Sequence, residues 1–312
     1  MDRRSFLSRA GWVGCGLFTP PLIRAGMVDS QAFRVAYLTD SHLLPLSKAI
    51  RSFTQALHHL QTLSKPPDLI FNGGDAIMDA LQLDRWMVKR QWASWKTVLS
   101  QENQLPIHHC LGNHDIWGWK LEKIKDRADD AQDKVFGKQW ALDELGMTTR
   151  HYYFDQQNWR FVVLDSIHAK PDGYTARLDG AQFDWLQQTL VATPAERHLC
   201  IISHIPILSA TVLFDGDNEQ QGGWQIPDGW MHQDARRIKN LFSRHPNVRV
   251  CLSGHTHLVD DLTYNGVRYL CNGAVSGKWW RGAFQEFSPM YALLDFMPNG
   301  EVHRQMIPYL DA

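Results

Sequence analysis

The stretch Phe33-Arg34-Val35-Ala36-Tyr37-Leu38-Thr39-Asp40-Ser41-His42 decides how the rest of the chain reads. It opens as a short run of strand formers and ends on a carboxylate and an imidazole one residue apart. Ile50 to Leu63 follows with apolar residues at helical spacing, halted before Pro66-Pro67. Asp68 to Phe71 repeats the strand, Leu81 to Leu99 the helix, and Leu105 to Leu111 the strand again. This alternation predicts a largely parallel sheet with helices on its faces. Trp119 to Leu145 is charged and reads as a helical insertion, and Tyr152 to Asp155 with Arg160 to Leu164 reads as a hairpin. A helix over Asp179 to Val191, a strand over His198 to Ile202 and a helix over Gln233 to Phe242 come next. From Val248 strands dominate, with Asn265-Gly266 and Asn299-Gly300 as hairpin turns. Parallel strands first and antiparallel strands later imply an α/β fold of two mixed sheets packed together.

Working outward, the 312 residues are 44% hydrophobic and 21% charged, an ordinary composition with ample material for a core. Lys plus Arg is 32 and Asp plus Glu is 33, so the net charge is -1, and no long-range field draws the molecule to nucleic acid or an acidic membrane. No nucleic-acid partner is expected. No linker, repeat or charge block divides residues 27–312, which read as one domain. Before it, Arg3-Arg4-Ser5-Phe6-Leu7 precedes an apolar stretch from Ala10 to Ile23 and Arg24-Ala25-Gly26. Residues 1–26 resemble a twin-arginine export signal, which implies the twin-arginine export machinery as a partner and a periplasmic or extracytoplasmic destination. Lipid attachment at Cys15 is the alternative use of this segment. The apolar stretch is too short to span a bilayer, and no transmembrane helix is expected in the mature chain. The remaining cysteines, Cys110, Cys200, Cys251 and Cys271, each lie in or beside an apolar strand and are expected to be buried free thiols.

The strand ends carry the chemistry, because ligands in open α/β sheets gather outside the carboxyl ends of strands. Asp40-Ser41-His42, Asn72-Gly73-Gly74-Asp75, Gly112-Asn113-His114-Asp115, Ser203-His204 and Gly254-His255-Thr256-His257 each follow an apolar run. A lone Asp-x-His or His-x-His is more often structural than ligating. Clusters at the ends of successive strands point instead to a shared site. Asp, Asn and His without Cys make a mixed N/O donor set suited to Mn, Fe or Zn and poorly suited to Ca. The donors exceed what one tetrahedral ion needs and match two ions sharing a carboxylate, an arrangement that activates water and clamps phosphate oxygens.

Through Asp-x-His, Gly-Asp, Gly-Asn-His-Asp, a later His and Gly-His-x-His, the chain from Asp40 to His257 resembles the calcineurin-like metallophosphoesterases. The resemblance implies a four-layer αββα sandwich and two divalent or mixed-valence metal ions. It places Asp40, His42 and His257 on one ion, Asn113, His204 and His255 on the other, and Asp75 between them. A bridging hydroxide would attack phosphorus, and His114 would be the general acid for the departing alkoxide. Asp115 reads as a buttress of its own loop.

Departures from subfamilies narrow the substrate. Protein phosphatases carry Gly-Asn-His-Glu and Asp-Arg-Gly where this chain has Asp115 and Met78-Asp79-Ala80, and purple acid phosphatases carry a tyrosine at the Met78 position. The pattern is similar to the bacterial branch of class III cyclic-nucleotide phosphodiesterases, including the Leu178-Asp179 to Trp185-Leu186 segment. That branch commonly has an acidic residue at Met78 and a His-His-Pro segment where this chain reads Ser203-His204-Ile205-Pro206. Asp79 either substitutes for the displaced carboxylate or caps the next helix. An exported phosphodiesterase is therefore the expectation, with a phosphomonoesterase or a silent phosphoester-binding sensor as alternatives. Among the 13 tryptophans and 15 histidines, Trp117, Trp119, Trp224, Trp230, Trp279 and Trp280 lie on loops near the motifs, with Arg281 beside the last pair. Trp117, Trp280 and Arg281 are the substrate candidates, for a nucleotide or lipid head group; the plain alternative is that the rings pack the loops. Of the other histidines, only His232 lies in a loop that could face substrate.

Overall fold

In a computed structural model, which describes residues 32–120 and 136–310, the opening run becomes strand β1 (Phe33–Leu38). It is followed by α1 (Ser47–Gln61), β2 (Leu69–Asn72), α2 (Arg85–Glu102), β3 (Ile107–His109) and α3 (Lys138–Leu145). Next come β4 (Tyr152–Gln156), β5 (Trp159–Leu164), β6 (Ile167–Lys170), β7 (Gly173–Ala176), α4 (Gly180–Ala192) and β8 (His198–Ser203). The small pair β9 (Glu219–Gln220) and β10 (Gly223–Trp224) precedes α5 (Ala235–Phe242). The chain closes with β11 (Val248–Ser253), β12 (Val259–Tyr264), β13 (Val267–Asn272), β14 (Met290–Phe296) and β15 (Val302–Pro308).

Two mixed sheets result, one ordered β15-β14-β1-β2-β3 and the other β12-β13-β11-β8-β5-β4. β1, β2 and β3 are parallel, as are β5, β8, β11 and β13; β14 runs antiparallel to β1, with Phe33 opposite Phe296. Period-two alternation in β1 sends Phe33, Val35 and Tyr37 between the sheets and Ala36 and Leu38 to the helices. Phe71, Trp159, Phe161 and Phe296 complete the inter-sheet layer, each ring worth ~1.5–3 kcal/mol by burial. On one outer face α1 buries Ala49, Phe53, Ala56, Leu57 and Leu60, and Phe53 stacks on Trp95 of α2 at 5.1 Å. On the other, Leu186 and Leu190 of α4 pack with Ile238, Leu241 and Phe242 of α5. The four layers are helix, sheet, sheet, helix.

Differences from the sequence reading have local causes. The third strand stops at His109, because Cys110 and Leu111 leave the sheet to begin the next loop. α2 starts at Arg85 rather than Leu81: Asp79 accepts from the Leu81 N–H through its carboxylate, and Gln91 bonds both the N–H and the carbonyl of Asp79, holding a turn there. Of the expected insertion helix, Lys138–Leu145 is helical, Trp119 and Lys120 lie in a turn, and residues 121–135 lie outside the described residues. The β6–β7 hairpin was not anticipated. Cys110, Cys200, Cys251 and Cys271 are free and buried. The segment 1–26 read as an export signal, Cys15 included, lies outside the described residues.

Candidate active site

Asp40 and His42 follow β1, Asp75 follows β2, Asn113 and His114 follow β3, His204 follows β8, and His255 and His257 follow β11. All these strand ends meet at one edge of the sandwich. His42 Nε2 lies 3.0 Å from His257 Nε2, and Asp40 Oδ1 lies 3.4 Å from His257 Nε2 and 3.8 Å from His42 Nε2. Asp75 Oδ2 is 3.7 Å from His42 Nε2 and 3.3 Å from His204 Nε2, which in turn is 3.2 Å from Asn113 Oδ1. Asp40, His42 and His257 form one group able to hold an ion, Asp75, His204 and His255 another, and Asp75 also groups with His42 and His114. Asp75 thus connects the second group to His42 of the first.

The chain holds these atoms in place through the backbone. Asp40 N–H donates to the Gly74 carbonyl, His42 N–H to the Asp75 carbonyl and Gly254 N–H to the His204 carbonyl. Asp40 Oδ2 accepts from Thr39 Oγ1 at 2.6 Å and from His255 N–H at 2.9 Å, which turns Oδ1 inward. Five of the seven expected ligands adopt left-handed backbone: Asp40 (φ 55°), His42 (43°), Asp75 (53°), His255 (73°) and His257 (61°). Each such non-glycine residue costs ~1–2 kcal/mol, and strain of this kind gathers at functional sites. Gly112 and Gly254 let the loops touch: a Cβ would lie 2.0 Å from Asp75 N at the first and 2.1 Å from Thr39 Oγ1 at the second.

The donor chemistry fits divalent cations. His204 Nδ1 donates to the Gly73 carbonyl and His257 Nδ1 to the Gly277 carbonyl, so in each ring Nε2 is the nitrogen that faces the cluster and would give up its proton to bind a cation. Asp40 Oδ1 is buried without a hydrogen-bond partner, an orphan that a cation would satisfy. Burial holds His42 well below the usual imidazole range and His255 down at about 3. Burial alone would raise Asp75, but His204 and His114 hold it well below the usual carboxylate range; in return, against burial, Asp75 carries His204 up to about 9. His114 is half-buried. Its N–H donates to Asp75 Oδ1 at 2.7 Å and its Nδ1 donates to the Met78 carbonyl at 2.7 Å, leaving Nε2 as the free ring nitrogen.

Residues 33–259 match the family model described as calcineurin-like phosphoesterase. The chain belongs to that family. Among curated proteins, this calcineurin-like phosphoesterase is 23% identical over 284 residues to a 3',5'-cyclic-nucleotide phosphodiesterase of Nostoc sp., covering 88% of each chain. It is 25% identical over 257 residues to the 3',5'-cyclic adenosine monophosphate phosphodiesterase CpdA of Escherichia coli K12, covering 80% of this chain and 78% of the relative. In three dimensions it is similar to a dimetal phosphatase from Danio rerio, with TM-score 0.59 and 13% identity over 90% of this chain and 100% of the other. That likeness shows the αββα fold.

Around the phosphoesterase cluster the other expectations sort by burial. Trp117 is fully buried, donates from Nε1 to the Leu83 carbonyl and meets Trp140 edge-on, so as a substrate candidate it is corrected to a core residue. Trp280 is also buried, 6% exposed, with Nε1 donating to the His42 carbonyl at 3.0 Å; it braces a ligand loop and does not face a substrate. Arg281 is exposed on the same turn. His232 is buried between Ser203 Oγ and Asp234 Oδ1, each at 3.0 Å, and does not face the site. Asp115 buttresses its loop as expected: Oδ1 accepts from Ala76 and Ile77 N–H, Oδ2 from Gly112 and Asp75 N–H. Asp79 serves its turn, accepting from Leu81 N–H. Of the loop tryptophans Trp279 lines the site, and two rings not singled out, Phe284 and Tyr174, join it. Trp279 lies 4.9 Å from His257 and 6.1 Å from His42 between ring centroids, Phe284 lies 5.5 Å from His257, and Tyr174 lies 6.3 Å from His255. Trp279 was visible as one of a pair; Tyr174 sits on the unanticipated hairpin, and no spacing pointed to Phe284.

Proposed function

We propose that the chain is an exported phosphodiesterase that hydrolyses small phosphoesters at two divalent ions. The observation that carries the reading is Asp75, which groups with His204 and His255 on one side and with His42 and His114 on the other, each group within 4.8 Å, while His42 also groups with Asp40 and His257. Asp40, His42 and His257 would hold one ion, Asn113, His204 and His255 the other, with Asp75 touching both. A pair of divalent ions there supplies an activated water and charge neutralisation for the phosphoryl oxygens. The chain's own residues do the rest. Asp40 Oδ2 and Asp115 fix the loops, the Nδ1–H donations of His204 and His257 fix ring orientation, and His114 supplies a proton through Nε2 to the leaving oxygen while its Nδ1–H stays on Met78. The cyclic-nucleotide phosphodiesterase names of the relatives support a diester over a monoester. Export rests on Arg3-Arg4 and the apolar run behind them; among the described residues no helix is long and apolar enough to cross a membrane.

The test is to purify the mature protein with its metals, count them by elemental analysis, and assay bis-nitrophenyl phosphate, nitrophenyl phosphate and cyclic nucleotides on one sample. Near two ions of Mn, Fe or Zn per chain with diester turnover is expected. Full metal content without turnover on any ester would move the reading to a silent phosphoester sensor.

A further inference from the structure

The turn from Val275 to Gly282 is fastened to the first ligand loop. Val275 N–H donates to the Thr39 carbonyl, Ser276 donates to the Asp40 carbonyl from both N–H (3.2 Å) and Oγ (2.7 Å), and the Gly277 carbonyl accepts from His257 Nδ1. Trp280 donates to the His42 carbonyl. The turn closes on itself through Lys278 N–H to the Gly282 carbonyl and Trp280 N–H to the Ser276 carbonyl. Two consecutive tryptophans, Trp279 (φ 46°) and Trp280 (φ 67°), are thereby held in left-handed backbone, which bulky residues rarely adopt. The arrangement sends the two indoles to different environments. Trp280 goes into the core, whereas Trp279 stays half-buried over the ligand cluster, and its indole N–H has no hydrogen bond among the described residues. Phe284 meets Trp279 edge-on at 5.7 Å, and mutual N–H to carbonyl bonds between Phe284 and Phe287 pin that ring. His42 is the common neighbour: its ring lies 4.7 Å from His114 and 6.1 Å from Trp279.

We propose that Trp279, backed by Phe284, is a substrate-contacting platform on which a planar ring of the phosphoester stacks while its phosphate lies on the Asp/His cluster. The platform selects esters that carry a nucleobase or aryl group close to phosphorus over open-chain head groups. A flat, rigid indole with an unspent N–H donor gives stacking at little entropic cost, and a strained turn with its own fastenings holds the ring where solvent alone would not. The proposal rests on the phosphoester-site reading, and binding separates the two.

The experiment is titration calorimetry of the metal-loaded full chain with adenosine 5'-monophosphate and with ribose 5-phosphate, which share the phosphate and differ in the ring. The wild type is expected to bind the adenosine compound roughly tenfold more tightly. Trp279→Leu should erase that preference while leaving ribose 5-phosphate affinity unchanged, and Trp279→Phe should keep most of it. Equal affinities in the wild type, or no measurable affinity for either compound, would overturn the platform without needing any variant to fold. A ring preference that survives in Trp279→Leu would do the same. Turnover of bis-nitrophenyl phosphate by the wild-type sample reports separately on the hydrolase reading, which can stand when the platform fails.

Discussion

Replacing Asp115 with Asn tests whether the ligand loops depend on one buried carboxylate. Asp115 is fully buried, and its two oxygens accept four backbone N–H groups: Ala76 at 2.9 Å and Ile77 at 3.3 Å on Oδ1, Gly112 at 2.8 Å and Asp75 at 3.1 Å on Oδ2. An amide keeps one oxygen and turns an NH2 group toward the other two donors. Orphaning two buried donors costs ~1–3 kcal/mol each, so ~2–6 kcal/mol in all. At ~2–4 °C per kcal/mol for a large domain, Tm should fall by about 4–24 °C. Burial beside Asp75 pushes the Asp115 carboxyl up to about 7, so the comparison belongs at pH 8.5, where the carboxylate is ionised and all four bonds are at full strength. Thermal unfolding of both proteins, with metal content measured on the same samples, reads the effect. Because the affected N–H groups belong to the residues around Asp75 and just before Asn113, metal content should fall with Tm. A Tm within a degree of wild type and undiminished metal would refute the buttress.

Three further outcomes are expected. Asp75→Asn should lose metal and cut turnover by more than the ~10–100-fold typical of losing a group that only orients a ligand; turnover within that range would contradict its place between the two groups. His114→Ala should keep its metal and lose ~10²–10⁴-fold in kcat, most on esters with poor leaving groups, and a uniform loss across leaving groups would remove it from proton transfer. Burial holds His109 down at about 4, so the unfolded chain takes up its proton first as pH falls. The corresponding stability is complete above the ordinary value of 6.5 and drains away toward 4, by up to ~1.4 kcal/mol per pH unit; urea midpoints of His109→Gln should show a flatter slope across that window.

Much of the fold was legible because strand ends and chemistry coincide. Asp40, Asp75, Asn113, His204 and His255 each stand directly beyond an apolar run, so locating the runs located the cluster. What the sequence withheld was decided by tertiary contacts. No residue type announces that Asp40, His42, Asp75, His255 and His257 are left-handed, since none is glycine; the inter-loop bonds impose it. The same holds for the tryptophans. Trp117 and Trp280 have the same local signature as Trp279, a bulky ring just after a motif, and only the positions of Leu83 and the His42 carbonyl draw two of them inward. The β6–β7 hairpin escaped because Ile167–Lys170 and Gly173–Ala176 are too short and mixed to alternate visibly.

The pairing of β1 with β14 has a consequence for the order of assembly in time. Phe33 lies opposite Phe296, so the strand that delivers Asp40 and His42 stays an open edge on one side until β14 (Met290–Phe296) has left the ribosome. The fastening of Ser276 to the Asp40 carbonyl and the arrival of His255 and His257 fall in the same late interval. A nascent chain arrested before Met290 would therefore hold Asp75, Asn113 and His204 on partly formed sheets yet leave Asp40 beside an unpaired strand. Affinity for a metal ion at the Asp40, His42 and His257 group would then be acquired only once β14 (Met290–Phe296) has been made and has paired with β1.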